Sequence, residues 1–163
     1  MRGAVRISLV LAALLVSACG FTPLYEAGGS SDAMRTQLAS VEVAPIADRL
    51  GQIMRNQLTE RLNEAGVPAY RLEVTLHQET EVYGFRPDAA ATQEQLTMKA
   101  HVIFISLKDG KKLFEDDLRA RTAYDLVLSD FATVAQREDS AKRLVLDLAE
   151  RIHRRLALYF SKG

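Results

Sequence analysis

Two periodicities divide the chain. Leu50, Ile53, Met54, Leu58, Leu62 and Ala65 recur at three- and four-residue spacings, which lines them up on one face of a helix. Asp48 stands where an N-cap belongs, and Gly66 followed by Pro68 supplies a stop. Ahead of this helix, Val41, Val43 and Ile46 read as a short strand ending at Pro45. After it, Tyr70, Leu72, Val74 and Leu76 alternate with Arg71, Glu73, Thr75 and His77, the period of a half-buried strand that continues through Val82. Gly84 to Gln93, with Pro87 and Asp88, reads as a loop. Leu96, Met98, Ala100, Val102 and Phe104 then alternate with Thr97, Lys99 and His101. On a returning strand, Leu118, Ala120, Thr122 and Tyr124 alternate with Asp117, Arg119 and Arg121. A second amphipathic helix is predicted from near Thr133 to Tyr159, its stripe formed by Val134, Ala141, Leu144, Val145, Leu148, Ile152, Leu156 and Tyr159. The order strand, helix, three strands, helix predicts an α+β fold. It should be a two-layer sandwich, with a sheet of about four strands, mostly antiparallel or mixed, and both helices on one face.

The hairpin at Asp109-Gly110 has a register that patterning constrains. A two-residue loop would mix apolar and charged faces, because a slip of one residue turns every side chain over. A three-residue loop, Asp109-Gly110-Lys111 with a bulge at Gly110, keeps one apolar face. It pairs Val102 with Leu118 and Ala100 with Ala120, and on the other face Lys99 with Arg121 and His101 with Arg119. Like charges directly opposite are destabilising. Either Glu79 on the neighbouring strand neutralises them, with Glu81 or Glu73 beside it, or a bound anionic group such as a lipid phosphate does. Lys99, Arg119, Arg121 and Arg71 are therefore the candidate contacts for an anionic lipid.

The amino terminus follows a different rule. Arg2 and Arg6 are the only charges ahead of Glu26, Ile7 to Val16 is apolar apart from Ser8, and Ser17-Ala18-Cys19 follows. A basic start, a short apolar run and small residues make a secretory signal, and the run is too short to span a bilayer. Leu15-Val16-Ser17-Ala18-Cys19 resembles the bacterial lipobox. That resemblance implies removal of residues 1–18 and a covalent lipid anchor on Cys19. Residues 19–39, with Gly28-Gly29-Ser30-Ser31-Asp32, then form the lipidated N-terminus and a flexible tether, and residues 40–163 form a single periplasmic domain. Gly20, rather than Asp, follows the cysteine, which by analogy with lipoprotein sorting points to the outer membrane. Stable anchoring needs more than one acyl chain, as lipoproteins of this kind carry.

Composition narrows the function. The chain has 163 residues, 48% hydrophobic and 26% charged, with 21 basic and 21 acidic side chains. That balance excludes a general nucleic-acid binder. One cysteine excludes a disulfide framework and a cysteine-rich zinc site. His77 and His101 are placed to face each other on adjacent strands as half of a metal site, but no third ligand stands at a fixed spacing, so no metal is expected; His153 reads as solvated. Glu115-Asp116-Asp117 reads as a solvated acidic run, and no motif marks an enzyme or calls for a cofactor beyond the anchor.

Cys19-Gly20-Phe21-Thr22-Pro23-Leu24-Tyr25 resembles the mature start of the LptE family of proteobacterial lipopolysaccharide-assembly lipoproteins. Thr122-Ala123-Tyr124 after the hairpin, Phe131-Ala132-Thr133, Ala149-Glu150-Arg151-Ile152 and Arg155-Leu156-Ala157-Leu158-Tyr159-Phe160 are similar as well. The resemblance implies a non-enzymatic outer-membrane subunit of the lipopolysaccharide translocon. It implies an LptD-like β-barrel partner, which the protein plugs and helps to assemble, and contact with lipopolysaccharide. The anchor would sit in the inner leaflet of the outer membrane, with the domain facing the periplasm or the barrel lumen. An auxiliary lipoprotein of a lipid-transporting ABC system and a periplasmic hydrolase are the other readings the chain leaves open.

Overall fold

A computed structural model describes residues 30–85, 91–126 and 130–161. The signal segment, Cys19 and the string through Tyr25 lie outside the described residues. The elements are α1 (Ser30–Ala39), β1 (Val41–Val43), α2 (Asp48–Leu62), β2 (Tyr70–Phe85), β3 (Ala91–Ser106), β4 (Lys112–Asp125) and α3 (Asp130–Phe160). The strands form one mixed sheet in the order β1-β2-β3-β4, with β1 parallel to β2 and the other pairs antiparallel. The expected α+β fold, with helices over one face of a four-stranded sheet, is the fold observed.

The core follows the alternation. Leu72, Leu96, Met98 and Phe104 are fully buried on the helix side of the sheet, against Met54, Leu58 and Leu62 of α2 and Leu148, Ile152 and Leu156 of α3. Val41 and Val43 complete it from β1. At one end of the molecule, Phe104 meets Tyr70, Phe114, Tyr159 and Phe160 with ring centroids 5.2–5.9 Å apart, in stacked, tilted and edge-on arrangements.

Several boundaries differ from the sequence reading, each for a local reason. Ser30–Ala39, expected within a flexible tether, is helical; Met34 and Leu38, one turn apart, pack on the core. Asp48 does not cap α2: Ala47 occupies that position with no side-chain hydrogen bond, and Asp48 itself has φ +67°. The helix stops at Leu62, where Asn63 takes the left-handed conformation at φ +52° and its N–H reaches back to Glu60 and Thr59. Ala65 is consequently exposed. Gly51 is buried inside α2 because a Cβ there would lie 2.7–2.9 Å from Ile46, two of those contacts being backbone. Gly84, Phe85 and 91–93, expected in a loop, extend the long β2–β3 ladder. Val134 is half exposed rather than on the buried stripe of α3.

The hairpin register also needs correction. Val102 pairs with Asp116, Ala100 with Leu118 and Met98 with Ala120, a shift of two residues from the expected pairing. Gly110 does take a positive φ of +68°, but the irregularity sits in the strands, between Phe104 and Ile105 opposite Phe114 and Lys112. Leu113 is the extra residue. A bulge of one residue restores the parity that a regular continuation of the ladder from this turn would break, so the apolar face stays intact while each partner moves.

Candidate functional site

Odd-numbered positions of β2 and β3, and of β4 beyond the bulge, turn away from the helices; on the turn side of the bulge Lys112 takes the outer face, while Leu113 packs on the core. The outward side chains form bands across the outer face, row by row. Arg71, Ile105 and Lys112 make one row, and Glu73, Ile103 and Glu115 the next. Thr75, His101 and Asp117 follow, then His77, Lys99 and Arg119, then Glu79, Thr97 and Arg121.

Of the four candidate cations, the structure brings three together. Lys99 lies opposite Arg119, not Arg121 as expected, and Arg121 lies two residues along the same strand face, opposite Thr97. His101 lies opposite Asp117, not Arg119. Arg71 is not part of this group. It is six residues, or about 20 Å, along β2 from the Lys99 row. The acidic row of Glu73 and Glu115 intervenes, and Arg71 Nη2 is held by Glu42 at 3.4 Å.

Neutralisation within the protein is partial. Lys99 Nζ donates to Glu79 Oε1 at 2.6 Å, so the internal partner weighed from sequence does exist. His77 Nε2 is 3.5 Å from the same carboxylate. Glu79 is held below its ordinary carboxylate value, chiefly by the Lys99 hydrogen bond. Arg119 and Arg121 are exposed, and among the described residues neither side chain has an ion-pair or hydrogen-bond partner.

The acidic run is not simply solvated surface. Glu115 pairs with Lys112 and approaches His101 Nε2 at 3.2 Å, while Asp117 reaches His101 Nδ1 at 2.8 Å. Asp116, on the opposite parity, points to the helix side, where Arg155 Nε donates to it at 3.0 Å. His77 and His101 are diagonal neighbours rather than facing partners, and no metal-binding cluster of three ligands occurs among the described residues. His153 is half-buried, and burial first of all pushes it below its usual value of 6.5.

The sequence reading missed a polar cluster on the inner face. Glu94 is 5% exposed and shares the parity of Leu96 and Met98. The Tyr124 hydroxyl, directly opposite, donates to it. Arg137 Nη2 of α3 donates to both carboxylate oxygens at 2.9 and 2.8 Å, and Arg137 Nε donates to the Tyr124 oxygen at 3.0 Å. Burial alone would raise the carboxyl value, but the Tyr124 and Arg137 contacts outweigh it and hold Glu94 ionised below the ordinary range. The available signal was a carboxylate on an apolar face, which requires partners. Beside this cluster, a cleft of about 460 Å³ opens between α2 and α3 above β2, lined by Arg49, Leu50, Ile53, Gln78, Ala135 and Arg137 among others.

An uncharacterized protein of Rickettsia prowazekii (strain Madrid E) is 25% identical over 152 residues, covering 93% of this chain and 95% of its own. The crystal structure of a protein assigned as a lipoprotein from Caulobacter crescentus CB15 superposes with a TM-score of 0.65 at 21% identity, covering 83% of this chain and 100% of that one. Rare lipoprotein B from Shewanella oneidensis superposes with a TM-score of 0.61 at 16% identity, covering 75% and 96%. At these identities the two structures share the fold. The lipopolysaccharide-assembly family model LptE matches residues 38–156, from the end of α1 almost to the end of α3. The chain belongs to the LptE family of lipopolysaccharide-assembly proteins.

Proposed function

We propose that this protein is a lipid-anchored subunit of the lipopolysaccharide translocon in the outer membrane. Cys19 carries the anchor once residues 1–18 are removed, and the domain seats in the lumen of an LptD-like β-barrel, plugging it and supporting its assembly. The family match supports a role in lipopolysaccharide assembly over the ABC-auxiliary and hydrolase readings. The Caulobacter and Shewanella relatives, both described as lipoproteins, support the anchor.

The contact with lipopolysaccharide falls on the outer sheet face. The observation that carries it is the exposed pair Arg119 and Arg121, whose side chains make no ion pair or hydrogen bond among the described residues, next to Lys99. Planar guanidinium groups two residues apart on one strand suit phosphate oxygens. Lys99 joins only by exchanging Glu79 for the ligand, and Arg71 lies too far along the sheet to act with them.

Two measurements on the full chain test the proposal. Affinity purification from detergent-solubilised outer membranes should recover a large β-barrel of the lipopolysaccharide-transport type, and Cys19→Ser should shift the protein from the membrane to the soluble fraction. Lipopolysaccharide binding should weaken markedly as salt is raised, because exposed charges are screened within about 10 Å at 0.1 M. Recovery of a permease complex instead of a barrel, or binding indifferent to salt, would contradict it.

A further inference from the structure

The two edges of the sheet are not equally protected. Edge strands expose N–H and C=O groups that invite pairing, and proteins normally blunt them with charge, bulges, proline or a cover. On β4 the cover is visible: Arg151 reaches from α3 to the carbonyl of Arg119 at 3.1 Å, and the Leu113 bulge breaks the strand's run.

On β2, among the described residues, the edge is open for most of its length. β1 pairs only with Tyr70, Arg71 and Leu72, and Ala44 N–H then donates to the Leu72 carbonyl at 2.9 Å. That bond fixes which residues face the edge. The β2–β3 register is regular from Tyr70 to Tyr83, so the N–H and C=O of Leu76, Gln78, Thr80 and Val82 point the same way as those of Leu72. Among the described residues, no backbone group bonds to them. The stretch has no proline and no bulge, and the side chains of Gln78, Thr80 and Val82 are exposed even though they lie on the helix side.

From this edge we infer that β2 accepts an added strand: an extended segment of another polypeptide that pairs along Leu76–Val82, with apolar and basic residues alternating. Strand addition draws affinity from main-chain hydrogen bonds and selectivity from alternate side chains. Side chains on the helix side of the incoming strand would lie over the cleft, beside Leu50, Ile53 and Gln78. Side chains on the outer side would lie beside Glu79 and Glu81, with Glu73 beyond, and Glu73 and Glu81 have no ion partner among the described residues. Opposite charge across a strand pair is favourable and like charge is not. Lysine or arginine is therefore the chemistry that fits. A second copy of the chain would bring the same acidic side chains to the same edge.

The test uses full-length protein in detergent micelles and residue-resolved amide hydrogen exchange. The probe is a short synthetic peptide alternating Lys and Val. In the free protein the amides of Gln78, Thr80 and Val82 should exchange fast while those of His77, Glu79 and Glu81, bonded to β3, are protected. Peptide should slow the first set by about tenfold or more and leave the second unchanged. The same peptide N-methylated at the amides facing β2, and a peptide alternating Glu and Val, should each bind about tenfold more weakly or worse. Gln78→Pro, which removes an outward N–H but no ladder bond, should retain the melting temperature and lose the response. Four results would overturn the inference: protection of the even-numbered amides without peptide, including protection that grows with protein concentration; no slowing on adding peptide; undiminished binding of the N-methylated peptide; or equal binding of the acidic one.

Discussion

The two faces of one sheet are built from the same strands and serve different ends. The buried even positions, Leu72, Val74, Leu96, Met98, Ala100, Val102 and Phe104, are apolar, and the charged side chains on that face are matched: Glu94 by Arg137 and Tyr124, Asp116 by Arg155. Odd positions carry many of the charges, and there the matching is incomplete: Glu79 is hydrogen-bonded to Lys99 and feels Arg119 only through space, and Arg119 and Arg121 make no side-chain ion pair or hydrogen bond among the described residues. Burial explains the contrast. An unmatched charge on the inner face would carry a large desolvation cost, whereas on the outer face water covers it at little cost. Unmatched charge on the outer face is thus compatible with a stable fold and available to a ligand. Buried even positions should control stability, and the cations at odd positions should control lipid binding.

The largest effect is expected at the aromatic end. Phe104→Ala removes the ring shared by four aromatic neighbours and should cost about 3–5 kcal/mol in urea or thermal unfolding. A smaller loss is expected for Arg137→Met, about 2 kcal/mol, because Glu94 stays buried without its main partner although Arg137 itself is 40% exposed. Gly51→Ala should cost about 1–3 kcal/mol, since a methyl group there pushes on the backbone of Ile46 and shifts α2.

The melting temperature should also fall with acid in two windows. His153 has a depressed folded value, so its contribution is present above its ordinary 6.5 and is lost as pH drops below that. Glu94 is likewise depressed, so its contribution is present above the ordinary 4.5 and is lost as pH falls through the lower folded value. A series of melting curves on His153→Gln should flatten the first window, and one on Arg137→Met should reduce the second, to which the likewise depressed Glu79, Asp109 and Glu115 also contribute. The smallest effect belongs to the outer face: Glu79→Gln should barely move the melting temperature, and raised salt should erase what difference there is. A large loss from Glu79→Gln would break the contrast between the faces.

Much of this division was legible in the chain. The helix stripes and the parity of each strand fixed which residues face the core, and Leu72, Phe104, Leu148 and Ile152 lie where periodicity put them. The pattern could not give the pairing of β3 with β4. A shift of two residues preserves parity, so Lys99 opposite Arg121 and Lys99 opposite Arg119 look alike until the Leu113 bulge is seen. The Glu94–Tyr124–Arg137 cluster was hidden for a related reason: its members come from three elements far apart in sequence, and Glu94 sat beside what read as a loop. Ser30–Ala39 shows the opposite error, since its small polar start looks like a tether while Met34 and Leu38 pack it on the core.

The most direct test of the outer face as the lipid-contacting surface is a lipopolysaccharide titration of the full-length double variant Arg119→Glu/Arg121→Glu in detergent at low salt, with a melting curve on the same sample. The predicted result is binding weakened by about tenfold or more, since two charge-assisted contacts are reversed, with a melting temperature within about 2 °C of wild type. Unchanged binding, or a loss of binding that merely follows a collapse in melting temperature, would contradict it.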